Sequence, residues 1–292
     1  MYVVAGVTGR TGRVVADTLL AQGEAVRVVV REAGQGEPWK KLGAEVAVAQ
    51  LHDAAAMTKA LAGTMGAYLL LPPRYDVEDM FAAHHSITDA LAEAVRASRV
   101  PHVVLLSSLG GELADGTGPI VSLHYAERTL GAASRNITIL RAGYFFENFS
   151  SVLPATQGGV LPTFLNADRR IPMVASADIG RTAAELLLEP ATGTRVVELT
   201  AMRDWSPADV ARDLSALLGR TLSPQVGPLE AVVPALTGMG MTRGAAESFR
   251  EMIDALNRGI VTRQGPPALR RFGQLGAGDV LRGLLDPAHA HA

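Results

Sequence analysis

Short apolar runs rich in β-branched residues alternate with stretches whose apolar positions recur at helical spacing. The runs fall at residues 2–5, 25–30, 46–49, 67–71, 102–106 and 137–141. Helical patterns lie between them, over about 13–22, 39–42, 53–62, 76–98 and 121–133. The longest places Met80, Ile87, Leu91 and Val95 close to one stripe, with Asp89, Glu93 and Arg96 off it. Local punctuation agrees: Gly23 and Gly63 close helices, Asp53 caps one, Pro72-Pro73 ends a strand and Pro101 opens the next. Residues 32–37 are glycine-rich and polar, and read as a loop. Alternation of this kind predicts βαβ units and a parallel sheet.

After Gly143 the regularity breaks. Residues 171–174 and 195–199 read as further strands, and Ser176 or Asp178 as the cap of a helix running to Leu188. Ser206 caps another to Leu218, residues 229–285 are mostly helical with weak periodicity, and 288–292 read as a frayed tail. The expected class is α/β: a Rossmann-type doubly wound parallel sheet with a smaller C-terminal, mostly helical substrate lobe. The dinucleotide half would occupy residues 1–150, joined by a returning segment near 171–200, and the substrate-side lobe residues 151–292.

Composition narrows this picture by exclusion. An apolar fraction of 48% with 19% charged residues describes a folded globular chain. The net charge of −2 gives no electrostatic case for nucleic acid. With no cysteine there is no disulfide framework, thiolate metal site or cysteine nucleophile. The histidines do not fall at metal-ligand spacing; His84 and His85 are adjacent and face different directions on a helix, so no metal is expected. No apolar run is long enough to span a bilayer, and the N-terminus lacks the pattern of a secretory signal, so the cytoplasm is the expected location. No G-x-S-x-G elbow marks a hydrolase.

The chemistry-bearing stretch comes first in the chain. Gly6-Val7-Thr8-Gly9-Arg10-Thr11-Gly12 sits between the first strand and the first helix, the context in which a glycine fingerprint signifies a dinucleotide site. Gly6 would turn the chain out of the strand, Gly9 would clear the path of a pyrophosphate, and Gly12 would let helix and strand pack closely. The helix N-terminus offers unpaired N–H groups and its positive dipole end to the phosphates. Thr8, Arg10 and Thr11 lie within the same loop. Gln50, Leu51, Leu71, Pro72 and Ser107 are the further cofactor candidates.

The residue ending the second strand, about 20 positions after the glycines, meets the adenosine ribose. Here it is Arg31, whose guanidinium can grip a phosphate through two hydrogen bonds. Arg10 could reach the same group, so NADP(H) is favoured over NAD(H); with a slipped register Glu32 would be an acid of the NAD type.

Several stretches together resemble the NmrA-like branch of the atypical short-chain dehydrogenases. They are GVTGRTG at 6–12, VVVRE at 28–32, LLSSLG at 105–110, HYAERTL at 124–130, LRAGYFFENF at 140–149 and ASADIGRTAAELLLEP at 175–190. The likeness covers roughly residues 1–200, and the remainder carries no placed motif. The resemblance implies an NADP(H)-binding Rossmann fold with a cleft beneath the C-terminal lobe. Some members of that branch reduce quinones, and others act as nucleotide-sensing regulators.

The best-known short-chain dehydrogenases use a serine after the fifth strand and a Tyr-x-x-x-Lys pair on the following helix. Ser107 and Ser108 are kept, whereas Thr129 stands four residues after Tyr125, so the pair is absent. A quinone suits what remains, because hydride addition gives an aromatised anion that takes its proton from water. His124 either binds the nicotinamide ribose, lends a proton, or is a helix-start residue bonded to the loop before it. Ser107 and His124 are the catalytic candidates. Tyr144, Phe145, Phe146 and Phe149 form an aromatic cluster that suits a flat substrate, core packing or a dimer surface. Tyr144, Phe145 and Asn148 are the residues picked for the cleft. Met239 and Met241 flank Gly240 in a substrate-side lid or a plain loop.

The sequence therefore favours an NADPH-dependent reductase of quinones or similar flat electrophiles, with a small-molecule electron acceptor as its partner and a homodimer compatible with it. A rival reading is an NADP(H)-sensing regulator with a protein partner and no turnover. An isomerase holding NAD tightly is a third, disfavoured by the missing tyrosine.

Overall fold

The computed structural model describes residues 1–266 and 269–286. In chain order the elements are β1 (Tyr2–Val4), α1 (Arg10–Ala21), β2 (Val26–Val30), α2 (Glu37–Lys41), β3 (Glu45–Val48), α3 (Ala54–Leu61) and β4 (Gly66–Leu69). There follow α4 (Met80–Ser98), β5 (Val103–Ser108), α5 (Ile120–Ala133), β6 (Ile137–Ala142), β7 (Tyr144–Phe145), β8 (Val160–Thr163), β9 (Met173–Val174) and α6 (Ser176–Leu188). The chain continues through β10 (Thr194–Ala201), α7 (Pro207–Leu218), β11 (Ser223–Val226), α8 (Val232–Gly238), α9 (Arg243–Arg258), β12 (Arg270–Gly273) and α10 (Ala277–Leu285).

Eight strands form one parallel sheet in the order β12-β10-β6-β5-β4-β1-β2-β3. The middle strands are buried on both faces, which is why they read as unbroken apolar runs. On one face Val15 and Leu19 of α1 pack with Ile179 and Ala183 of α6. On the other lie Met57 and Leu61 of α3, Ile87, Leu91 and Val95 of α4, and Leu130 of α5. A third cluster, including Phe146, Phe149, Trp205, Leu214, Leu256 and Leu281, is the core beneath the C-terminal segments. The returning helix α6 bears directly on the first turn of α1. At Gly180 a Cβ would stand 2.8 Å from the Thr11 carbonyl oxygen, so a larger residue would push the two helices apart.

Several expectations shift. The helix expected over 76–98 begins at Met80, because the Asp79 carboxylate accepts from the Ala82 N–H at 2.8 Å and fixes the cap there. That leaves residues 70–79 as a loop over the strand ends. The loop expected at 32–37 contains a 3₁₀ turn, Ala33–Gly36, and α2 starts at Glu37. The fifth strand runs on through Ser107 and Ser108, paired to Arg141 and Ala142. Of residues 171–174 only Met173–Val174 is strand, pairing with β7, while Ile171 makes an isolated bridge to Trp205.

Neither Ser176 nor Asp178 is the N-cap residue of α6; Ala175 holds that position without a side-chain bond. The cap comes from elsewhere: Glu147 Oε1 accepts from the Ser176 N–H at 2.9 Å and from its hydroxyl at 2.5 Å. Asp178 accepts from the Leu275 N–H at 3.0 Å and tethers the segment after β12. The reading of 229–285 as mostly helical misses β12, whose sequence RRFG lacks an apolar alternation yet extends the main sheet beside β10. The tail at 288–292 lies outside the described residues.

Candidate active site

The strand order reverses between β1 and β4, and in doubly wound sheets ligands bind in the crevice at the carboxyl ends of such a pair. Here the glycine loop leaves β1. Gly6 has φ +70°, a left-handed conformation that favours glycine, and its carbonyl accepts from the Gly9 N–H at 2.9 Å. Gly12 is packed against the strand: a Cβ there would lie 2.6 Å from the Gly6 carbonyl carbon and 2.7 Å from the Ala5 oxygen. Gly9 faces outward, meeting only the Gly6 oxygen at 3.3 Å. It is also the N-cap of α1 and supplies no side-chain cap, so the first-turn amides of Arg10, Thr11 and Gly12 remain open to an anion. Thr8 and Arg10 are exposed beside them. Thr11 is buried and accepts the Tyr68 hydroxyl at 2.9 Å. Burial holds the Tyr68 phenol well above its usual range, with the Thr11 bond opposing.

At the end of β2, Arg31 is exposed and has no ion-pair partner among the described residues. Gln50 and Leu51 follow β3, the first exposed and the second half-buried against the core. Leu71 and Pro72 follow β4; the Pro72 carbonyl accepts from His84 Nε2 at 3.0 Å. These positions ring the crevice, together with an anion-receiving helix terminus and an unpaired arginine. They fit a dinucleotide carrying an additional phosphate.

The other side of the crevice is built from side chains already tied to one another. The Ser107 hydroxyl, buried at the end of β5, donates to Glu127 Oε1 at 2.6 Å. Arg141 donates to both oxygens of the same carboxylate, at 2.9 and 2.6 Å, and bridges on to Glu112 at 2.8 Å. Burial lowers the affinity of Arg141 for its proton, but the bonds and charges of Glu127 and Glu112 outweigh it and raise the pKa. His124 Nδ1 lies 3.0 Å from the Gly111 carbonyl, so this nitrogen carries a proton and donates to it, which fixes the ring and leaves Nε2 for another partner.

Tyr125 is not in the crevice at all. Its hydroxyl donates to Asp89 at 2.7 Å and its ring lies 3.9 Å from that of His85, on the surface between α4 and α5. Of the residues picked for the cleft, Tyr144 and Phe145 are separated by strand alternation. Tyr144 packs toward the C-terminal core and Phe145 toward the core of α1 and α6. Asn148 is exposed and hydrogen-bonds the Tyr144 side chain, while burial pushes that phenol up to about 12. Phe146 and Phe149 are buried, Phe146 edge-on to Trp205 with ring centres 5.4 Å apart.

Sequence reasoning passed over Tyr75, which the loop after β4 holds close enough for the charge of Arg10 to act on its phenol. Burial raises that phenol, and Arg10 partly offsets the shift. The C-terminal lobe seats itself on this loop: Thr242 donates to the carbonyls of Tyr75 (3.0 Å, through N–H) and Val77 (2.7 Å, through the hydroxyl). Phe249 lies edge-on to Tyr75 at 5.5 Å. No local signal marks Tyr75, because its partners are far away in sequence. Met239 is exposed in the turn after α8, at 65% of its surface. No group of metal-ligating side chains occurs among the described residues, and no helix among them is long and apolar enough to cross a membrane.

Comparison with known proteins places the chain in a family and agrees with its fold. The NmrA-like family model matches residues 2–266. An NAD(P)H azoreductase of Xenophilus azovorans is 24% identical over 259 residues, and quinone oxidoreductase 2 of Escherichia coli strain K12 is 26% identical over 256; each match covers 86% of both chains. Among solved structures, the Escherichia coli NADPH-dependent quinone oxidoreductase in complex with NADPH superposes with a TM-score of 0.82 at 21% identity, covering 98% of this chain and 100% of that one. The Citrobacter sp. triphenylmethane reductase complexed with NADP(H) gives 0.82 at 20% identity, covering 97% and 99%.

Proposed function

The chain belongs to the NmrA-like family, and from that premise we propose that it is an NADPH-dependent reductase delivering hydride to a quinone or a similarly flat electrophile. The open amides of α1 hold the pyrophosphate, and Arg31 with Arg10 receives the 2′-phosphate. The coenzyme supplies the hydride. His124, its Nδ1 tied to the Gly111 carbonyl, leaves Nε2 for a ribose hydroxyl.

The observation that carries this reading is the state of the polar groups around the end of β5. Ser107 spends its only proton on Glu127, His124 Nδ1 is tied to the Gly111 carbonyl, and Tyr144 binds its proton more tightly than a free phenol. Ser107 and Tyr144 are therefore poorly suited to protonate a ketone, whose alkoxide needs a proton as it forms. A quinone gains the electron pair, becomes an aromatic hydroquinone anion and takes its proton from water. Tyr144 and Asn148 line the acceptor side, with Tyr75 and Phe249 opposite as flat faces. The cytoplasm is the compartment in which such a coenzyme pool would serve it.

Titration of the purified protein with NADPH and NADH, followed by a simple benzoquinone and an azo dye, tests the proposal. Tight NADPH binding with rapid oxidation is expected. Binding without oxidation of the coenzyme by any acceptor would sink the reductase and leave nucleotide sensing.

A further inference from the structure

One register row crosses four neighbouring strands of the sheet. Ser107 of β5 lies opposite Arg141 of β6, Arg141 opposite Glu198 of β10, and Glu198 opposite Arg270 of β12. Glu198 adds to the negative charge facing Arg141, but its own bonds go to the C-terminal lobe. The side chain is 2% exposed. Its Oε1 accepts from two successive backbone amides, Gln264 and Gly265, at 2.7 Å each, and its Oε2 stands 3.5 Å from Arg270 Nε. Short bonds from N–H groups to a carboxylate are charge-assisted and hold more strongly than bonds to a neutral oxygen. The segment held in this way, residues 259–266, leads from the end of α9 back toward the edge of the sheet. Arg263 ties it further to the Thr200 hydroxyl at 2.9 Å and to Asp204. Gly265 packs onto the carboxylate, where a Cβ would stand 3.1 Å from Glu198 Cδ.

This segment and α9 touch both loops that border the acceptor side. Val261 is buried against Gly110, whose Cβ would lie 3.4 Å from Val261 Cγ2, and the next residue, Gly111, holds His124. In α9, Phe249 lies edge-on to Tyr75, and the helix backbone is pressed onto Gly118 so closely that a Cβ there would lie 3.0 Å from the Met252 nitrogen. Asn257 also fixes the end of α9, but to Phe164 and Asn166 in the segment after β8. Glu198 fixes it to the main sheet. We propose that Glu198 is a positioning residue for the acceptor: by anchoring Gln264 and Gly265 to β10 it sets the place of α9, and so the spacing between Phe249 with Tyr75 and the Gly110–Gly111 turn that a flat acceptor must fit. The inference rests on the reductase reading above. A segment released for part of the time offers a competent site for only part of the time, and apparent affinity falls by that fraction.

Hydrogen exchange and calorimetric titration of the full chain and its Glu198→Gln variant test this. The probes are NADP+, and naphthoquinone added to the NADP+-loaded chain, where no hydride can pass. Glu198→Gln keeps an acceptor for the amides but removes its charge. Exchange at Gln264 and Gly265 is expected to quicken, and naphthoquinone affinity to fall by about threefold to tenfold, while NADP+ affinity stays within about twofold. In turnover the apparent KM for the quinone should rise by a similar factor, with a smaller change in kcat. Gly265→Ala, whose methyl would crowd the same carboxylate, should move both readings the same way by less, and serves if Glu198→Gln does not fold. Faster exchange with unchanged naphthoquinone affinity would overturn the inference, since the segment could then move without the acceptor sensing it. Unchanged exchange would overturn it as well, and so would equal losses for the two ligands, which would make Glu198 a brace for the whole fold. A wild-type chain that takes up NADP+ but no naphthoquinone would instead overturn the acceptor reading, and this inference with it.

Discussion

The two sides of the crevice are made differently. The coenzyme side consists mainly of backbone: glycines that let strand and helix approach and amides left open at a helix start, with exposed Arg10 and Arg31, which make no ion pair among the described residues. The other side consists of side chains from β5, α5, β7, the loop after β4 and α9, and its central group, Ser107, Glu127 and Arg141, is bonded to itself. The first side is unfinished and waits for an anion. The second holds its central charges in bonds of its own and offers flat faces. That contrast is what favours hydride transfer to an acceptor needing little proton help over alcohol–ketone interconversion.

The sharpest way to break the comparison lies within the glycine loop, where packing and binding are assigned to different residues. Gly12→Val would drive a side chain into the Gly6 and Ala5 carbonyls. We expect a loss of about 4 kcal/mol or more, seen as poor soluble yield or a melting temperature lower by about 8 °C or more. Gly9→Ala adds a methyl that meets only one oxygen at 3.3 Å. It should fold with little change yet lose NADPH affinity, because the methyl stands where the pyrophosphate passes. If Gly9→Ala kept full affinity, the loop would not be the phosphate site.

On the acceptor side the largest effect should be structural. Glu127→Gln retains an acceptor for Ser107 but removes the charge that pairs with buried Arg141. Denaturant unfolding should report a loss of about 2–3 kcal/mol, the scale of a hydrogen bond to a charged group. NADPH affinity should change less than about threefold. A collapse of affinity with unchanged stability would place Glu127 in the coenzyme site instead.

A smaller effect belongs to Arg31. Arg31→Asp replaces the exposed cation at the end of β2 by an anion, and should reduce the preference for NADPH over NADH by about tenfold or more. An unchanged ratio of dissociation constants would assign the phosphate elsewhere.

The same contrast explains what could be read from the chain in advance. The strands β1 to β6, the glycine turn and Arg31 follow from residues close in sequence, where periodicity and turn chemistry act directly. The helix expected from residue 76 starts at Met80 because the Asp79 side chain caps it there, a bond that apolar periodicity does not mark. β12 was missed because RRFG has no pattern of its own and becomes a strand only beside β10. The cap on α6 was misassigned because its acceptor, Glu147, arrives from a separate segment. Tyr75, Glu127 and Arg141 are likewise defined by partners at a distance, and Phe145 was grouped with Tyr144 although strand alternation turns them apart.

The smallest effect concerns how the loop over the crevice is held. His84 is buried, and its Nε2–H holds the Pro72 carbonyl while Nδ1 has no partner. Burial disfavours the charged ring and lowers its pKa below 6.5; the Pro72 bond opposes this and the positive charge of Arg74 adds to it. The unfolded chain therefore binds the proton first on acidification. Its contribution is complete above pH 6.5 and is lost as pH falls through that value toward the folded pKa. His102, also buried with a lowered pKa, acts in the same direction from the opposite end of β5. Unfolding free energy should thus fall between about pH 7.5 and about pH 5.5. His84→Gln keeps an N–H for Pro72 but does not titrate, so its stability should fall measurably less over that range. If wild type and variant lost stability in parallel, His84 would be protonating without cost, and the loop it holds would have to open in the folded state.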